Sequence, residues 1–177
     1  MSEHKLQRML RHLWLDTADA KRAVPPDAMQ RLKQRVAASE SRHSGEIRIC
    51  VEAALPASYL LRLGKNLSIS QLTRQRAVML FGKLRVWDTE QNNGVLIYLL
   101  LAERAIEIIA DRGLARHVPR EPWQAMTQRM SAAFREGRFE EGLNKTVEEV
   151  TGLLLAHFPT VPGAQQDNEL PDEPVFN

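Results

Sequence analysis

Apolar residues along this chain recur with two different periods, and the changes between them mark its elements. Leu6, Met9, Leu10, Leu13 and Trp14 fall on one helical stripe and leave Lys5, Arg8, Arg11 and His12 on the other side, which predicts a short basic amphipathic helix. A longer helix follows: Pro25-Pro26-Asp27 signals its start, Leu32 and Val36 supply an inner face, and Ser44-Gly45 stops it. "EIRICVEAAL" then alternates with period two, Ile47, Ile49 and Val51 sharing one face of a first strand. The helical period returns from Tyr59 to Leu84, with an interruption expected around residues 64–66, and gives way to the polar loop "RVWDTEQNNG".

"VLIYLLLA" is apolar throughout, as a central strand covered on both faces must be. Glu103-Arg104 makes a turn, although it has neither Gly nor Asn, and "AIEIIA" returns as a hairpin partner. Two amphipathic helices close the pattern. Trp123, Met126, Met130, Ala133 and Phe134 line one, and Leu143, Val147, Val150, Leu154 and Phe158 line the other, with "REGRFEEG" between them. The predicted architecture is a three-layer α/β/α sandwich: a small mixed central sheet, a βαβ unit plus a hairpin, with helices on both faces. Residues 1–19 form the N-terminal helix, 20–158 the domain, and 159–177 an acidic, Pro-rich and flexible tail.

Chain direction alone makes a prediction about chemistry. A βαβ crossover makes strands one and two parallel, and a hairpin makes strand three antiparallel, so one sheet edge collects the starts of the first two and the end of the third. Glu46, Asp88, Asn92, Asn93 and Asp111 are expected to converge there. Carboxylates and amide carbonyls are what a hard cation such as Ca²⁺ or Mg²⁺ prefers. With Arg48 or Arg112 nearby, such an ion would also present a phosphate. The plainer reading is of turn and cap residues that bend the chain.

Composition narrows the field. With 44% hydrophobic and 26% charged residues, a chain of 177 residues is about one globular domain. The net charge of +2 is diffuse, and no Lys/Arg block is interleaved with aromatics, so nucleic acid is not an expected partner. A lone Cys50 fits a reducing compartment and is expected to be buried and inert. The five histidines show no zinc-ligand spacing, and no phosphate loop or nucleophile elbow occurs, so no organic cofactor is expected. With no apolar leader and no run long enough to span a bilayer, the expectation is a cytoplasmic protein, or one peripheral to a membrane.

Three stretches, "SGEIRICVE", "NNGVLIYLLLAERAIEIIADRGL" and "FREGRFEEGLNKTVEEV", together resemble the TPM-domain family, in its soluble bacterial branch, over roughly residues 20–158. The resemblance implies an α/β sandwich. It also implies a polar site at the sheet edge where some relatives bind calcium, which falls here on Glu46, Asn92, Asn93 and Asp111. Many relatives read Asp-Asn-Gly where this chain has Asn92-Asn93-Gly94, so one negative charge is missing. Members have been linked to acid-phosphatase activity, photosystem repair and modulation of membrane proteins. The resulting expectation is an interaction module that docks on a protein or membrane partner through its N-terminal helix, with Lys5, Arg8 and Arg11 facing that partner. The alternative is a metal-assisted, acid-phosphatase-like hydrolase in which Arg48 or Arg112 contacts phosphate.

Overall fold

The computed structural model describes residues 3–63, 67–160 and 168–177. Helix α1 (Glu3–Trp14) leads to α2 (Thr17–Ala23), whose first turn is closed by a reciprocal capping box between Asp16 and Asp19. Pro26 opens α3 (Pro26–Glu40), where a missing N–H costs nothing. Strand β1 (Ile47–Glu52) comes next, then the short α4 (Ala57–Leu60) and α5 (Ile69–Lys83), which Ser68 and Gln71 cap reciprocally. The expected interruption at residues 64–66 lies outside the described residues.

Strand β2 (Val95–Leu100) turns through a single 3-10 turn at Leu101–Glu103 into β3 (Ala105–Ala110). The missing turn glycine is replaced by Arg104, held in the left-handed region at φ 48°. A four-residue helix α6 (Arg112–Ala115), then α7 (Arg120–Arg135) and α8 (Phe139–His157) complete the helical layers.

The sheet order is β3-β2-β1-β4, where β4 (Val175–Phe176) comes from the C-terminal segment. β1 and β2 are parallel with Ile47 opposite Val95, and β2 and β3 antiparallel with Val95 opposite Ala110. Both central strands are buried at every position, which explains the unbroken apolar character of β2; β1 is apolar on one face and buries Arg48 and Glu52 on the other. Ile47, Ile49 and Val51 face a core shared with α2, α3, α7 and α8, while Leu96, Tyr98 and Leu100 face a second core with α4 and α5. The three-layer sandwich read from the periodicity is the fold observed.

The C-terminal segment departs from the expected flexible tail. Val175 and Phe176 form β4, parallel to β1, and Leu170 is buried in the second core. Asn177 closes the pairing in both directions, its N–H bonding to Val51 O and its C=O accepting from Ala53 N–H. Cys50, opposite Val175, is fully buried, and its thiol is pushed up to about 12 chiefly by desolvation, as expected for an inert cysteine.

Helix α1 is turned the opposite way from the usual amphipathic arrangement. Its polar side docks on the domain: Arg8 pairs with Glu103 at 2.9 Å, and Arg11 Nη1 donates to Ala102 O at 2.8 Å. His12, buried, accepts the Leu55 N–H on Nδ1 at 3.0 Å, which leaves Nε2 to donate to Glu103 at 3.0 Å. Leu10, Leu13 and Trp14 are left 46%, 71% and 83% exposed. Arg8 and Arg11 therefore face the body of the protein and not an external partner, because Glu103 and the chain end of β2 offer them buried acceptors. Lys5 lies in α1, and its side chain is outside the described residues.

Candidate functional site

The chain ends predicted to meet do meet along their backbones. Val95 N–H bonds to Glu46 O at 2.8 Å, Asp111 N–H to Gly94 O at 2.9 Å, and Gly113 N–H to Asn92 O at 2.8 Å. Two glycines permit this approach. A Cβ on Gly94 would lie 2.0 Å from Val86 O, and one on Gly113 would lie 2.4 Å from Asn92 O. The "NGVL" and "ADRG" stretches are thus required by packing before any chemistry is considered.

By register Glu46 and Asp111 both lie across from Gly94 and Asn93 falls on the other face; the side chains of the Asn-Asn-Gly turn and the α6 cap form one group by position, and those around Glu46 a second. In the first group Asn93 is fully buried: its Nδ2 donates to Ser44 Oγ at 3.2 Å, its N–H to Thr89 Oγ1 at 3.1 Å, and its Oδ1 has no partner. Asp111 caps α6, Oδ1 accepting Arg112 N–H at 2.6 Å, while its buried Oδ2 is also unpartnered. Asn92, at φ 53°, accepts Arg112 Nε on Oδ1 at 2.8 Å. Asp88 stays outside this group, paired at the surface with Arg85 at 3.3 Å.

The second group was not anticipated beyond Glu46 and Arg48. Glu46 Oε1 accepts Glu169 N–H from the C-terminal segment at 3.1 Å, and its buried Oε2 has no partner. Glu40, at the end of α3, accepts Ile47 N–H at 2.7 Å. With His43, Asn168 and Asp172 these acids line a cavity of about 190 Å³. Desolvation, with repulsion from Glu46, pushes Glu40 up to about 9. Glu46 rises to about 7 for the same leading reason, against the N–H donors of Glu169 and Leu170. His43 falls to about 4 through burial and bonds to Ser39 Oγ at 2.7 Å, which in turn meets Thr151 Oγ1 at 2.6 Å. Arg48 is buried beside them, held below its usual value by desolvation, with Nε and Nη1 unpartnered. A signal for Glu40 was present: it extends the i+4 series Ala28, Leu32, Val36 on the inner stripe of α3.

The orphaned oxygens of Asn93 and Asp111 are each of a type that suits a hard cation, and only Asp111 brings a carboxylate. Among the described residues no three His, Cys, Asp or Glu side chains are placed to hold a metal together. An ion at Asn93 and Asp111 would keep much of its water shell. Of the two arginines nominated for phosphate, Arg112 is exposed and donates through Nε to Asn92, and Arg48 is buried with the second group.

A four-stranded mixed sheet between two helical layers, with an Asn-Asn-Gly turn and an Asp helix cap at one edge, defines a class of α/β sandwich. Residues 18–153 match the model of the TPM domain, and the chain belongs to the TPM-domain family. Among solved structures it is similar to the BA42 protein of the psychrophilic bacterium Bizionia argentinensis, with 23% identity, a TM-score of 0.71, and coverage of 87% of this chain and 95% of that one. It is also similar to the N-terminal domain of a protein from P. gingivalis, with 22% identity, a TM-score of 0.55, and coverage of 81% and 92%. At these identities the likeness concerns the fold. No curated protein matches the chain. Among the described residues no helix is long and apolar enough to cross a membrane.

Proposed function

We propose that this TPM domain is a non-catalytic interaction module that docks on a protein partner through the outward face of α1, with a divalent cation at Asn93 and Asp111 serving structure. The observation that carries the reading is the orientation of α1. Three large apolar side chains are held in solvent by a polar side fixed to the domain, which is the arrangement a helix-in-groove contact uses. A protein groove is favoured over an anionic bilayer because Arg8 and Arg11, which would supply the attraction to lipid headgroups, are engaged internally.

Substituting Leu13→Asp and Trp14→Ser together removes the apolar face without touching the Glu103 contacts. The expected result is loss of the proteins that the wild type captures reproducibly, quantified against the variant, with the thermal midpoint unchanged. Equal capture by both forms would overturn the reading, and wild-type co-sedimentation with neutral or anionic vesicles, lost in the variant, would replace the protein partner with a membrane.

The cation is tested separately. If the site has a millimolar dissociation constant, about 10 mM Ca²⁺ would stabilise the native state by about 1.4 kcal/mol, read as a rise of about 4 °C in midpoint. Asp111→Ala is expected to abolish that rise, whatever its own effect on the starting midpoint through loss of the α6 cap. A rise of equal size in Asp111→Ala would place the ion elsewhere.

A further inference from the structure

The side of the sheet away from β4 ends in a slot. β3 is the terminal strand there, and its pairing with β2 runs without a bulge over six residue pairs. Asp111 N–H points toward β2 and bonds to Gly94 O, so alternation turns the backbone of Ile109, Glu107 and Ala105 inward and that of Ala110, Ile108 and Ile106 outward. Arg74, reaching from α5 to donate to Ile108 O at 2.9 Å, shows the outward direction. The N–H groups of Ile106, Ile108 and Ala110 have no partner strand among the described residues.

Edge strands are ordinarily blunted by Pro, by Lys, by a bulge or by a covering element. β3 has none of the first three, and α5 and α7 flank its two faces while leaving a groove of about 960 Å³ beside the edge. Ile108, Val118 and Trp123 give the groove an apolar floor. Arg74, Arg120 and Arg135 give it a basic rim, and the one acid lining it, Glu107, is already paired with Arg74 at 3.1 Å.

We propose that this slot binds an extended acidic segment of a partner protein by strand addition to β3, a second contact independent of α1. Six residues of edge accept a strand about 20 Å long. The incoming backbone takes the outward N–H groups of Ile106, Ile108 and Ala110, and its acidic side chains take Arg120 and Arg135. A second copy of this chain fits poorly, because β3 against β3 would bring the two basic rims together. The acidic segment 168–177 of the chain itself is engaged at β1, with Glu173 on Lys33 and Glu169 on Glu90 N–H.

Amide exchange and chemical shifts of ¹⁵N-labelled full-length protein, with acetyl-(Glu-Val)4-amide or acetyl-(Lys-Val)4-amide at millimolar concentration, test the proposal. The acidic peptide is expected to slow exchange at Ile106, Ile108 and Ala110 by about tenfold or more, with little change at Glu107 and Ile109, already bonded to β2. The Lys peptide is expected to have no effect. Ala110→Pro removes one outward N–H without touching the β2 ladder and should weaken the response. Arg120→Glu with Arg135→Glu, both exposed, should reverse the preference between peptides. No protection with the acidic peptide, or equal protection with both, would overturn the proposal, and protection rising with protein concentration alone would give the edge to a second copy.

Discussion

Replacing Glu40 with Gln is expected to raise the thermal midpoint by about 10 °C near pH 9 and by no more than about 2 °C near pH 5. In the folded protein this carboxyl holds its proton up to about 9, against an ordinary value of 4.5, because burial and the neighbouring Glu46 disfavour the charge. The folded state therefore binds more protons than the unfolded one across that interval. The stability this provides is complete below 4.5 and is lost as pH rises toward about 9. Over the full window the loss is on the order of 4 kcal/mol after allowance for partial exposure. Gln keeps the acceptor for Ile47 N–H and has no charge to bury. Glu46 adds a loss of the same sign between 4.5 and about 7, whereas His43 acts oppositely: its contribution is present above 6.5 and lost as pH falls through about 4. The wild type is thus most stable in mildly acidic solution. Midpoints of both proteins across this range decide the matter, and a gain independent of pH would show that Glu40 is not the group titrating.

Arg76→Met is expected to destabilise the domain by about 4 kcal/mol, with most of that loss recovered on adding Glu52→Gln. Glu52 is buried at the end of β1, where Arg76 from α5 grips it with Nε at 2.9 Å and Nη2, and Tyr98 OH donates to it at 2.6 Å. Removing the guanidinium strands a carboxylate in the second core. Removing the charge as well leaves an amide that still accepts from Tyr98. Urea midpoints of the two single variants and the double variant measure the coupling. A loss below about 1 kcal/mol for Arg76→Met would mean that water reaches Glu52 and shields it.

Where the sequence was readable, the reason was burial. β2 announced itself because a central strand covered on both faces is apolar throughout, β1 because Ile47, Ile49 and Val51 alternate toward one core, and α3, α7 and α8 because each turns one stripe to a core. The backbone meeting of the starts of β1 and β2 with the end of β3 followed from direction alone. Three things were not readable. The basic side of α1 was expected to face a partner, but Glu103, Ala102 O and Leu55 N–H form a seat on the domain for Arg8, Arg11 and His12. β4 is two residues long in a segment rich in Pro and acids, too short to show any period. The separation of Glu46 from Asn93 depends on register by a single residue, which strand periodicity cannot supply between parallel neighbours.

The pairing of β4 also sets an order in which the molecule comes apart. β2 and β3 are joined by one tight turn, so their pairing closes a short loop, whereas β4 meets β1 from far along the chain through only two residue pairs. Such a strand detaches at much lower free energy than the sheet it extends. When it leaves, Glu169 releases Glu46, Asp172 withdraws from the cavity, and water enters beside Glu40 and Arg48. The most strained electrostatic region of the protein therefore relaxes by a local opening, with the central strands still paired and the cores giving up only Leu170, Val175 and Phe176.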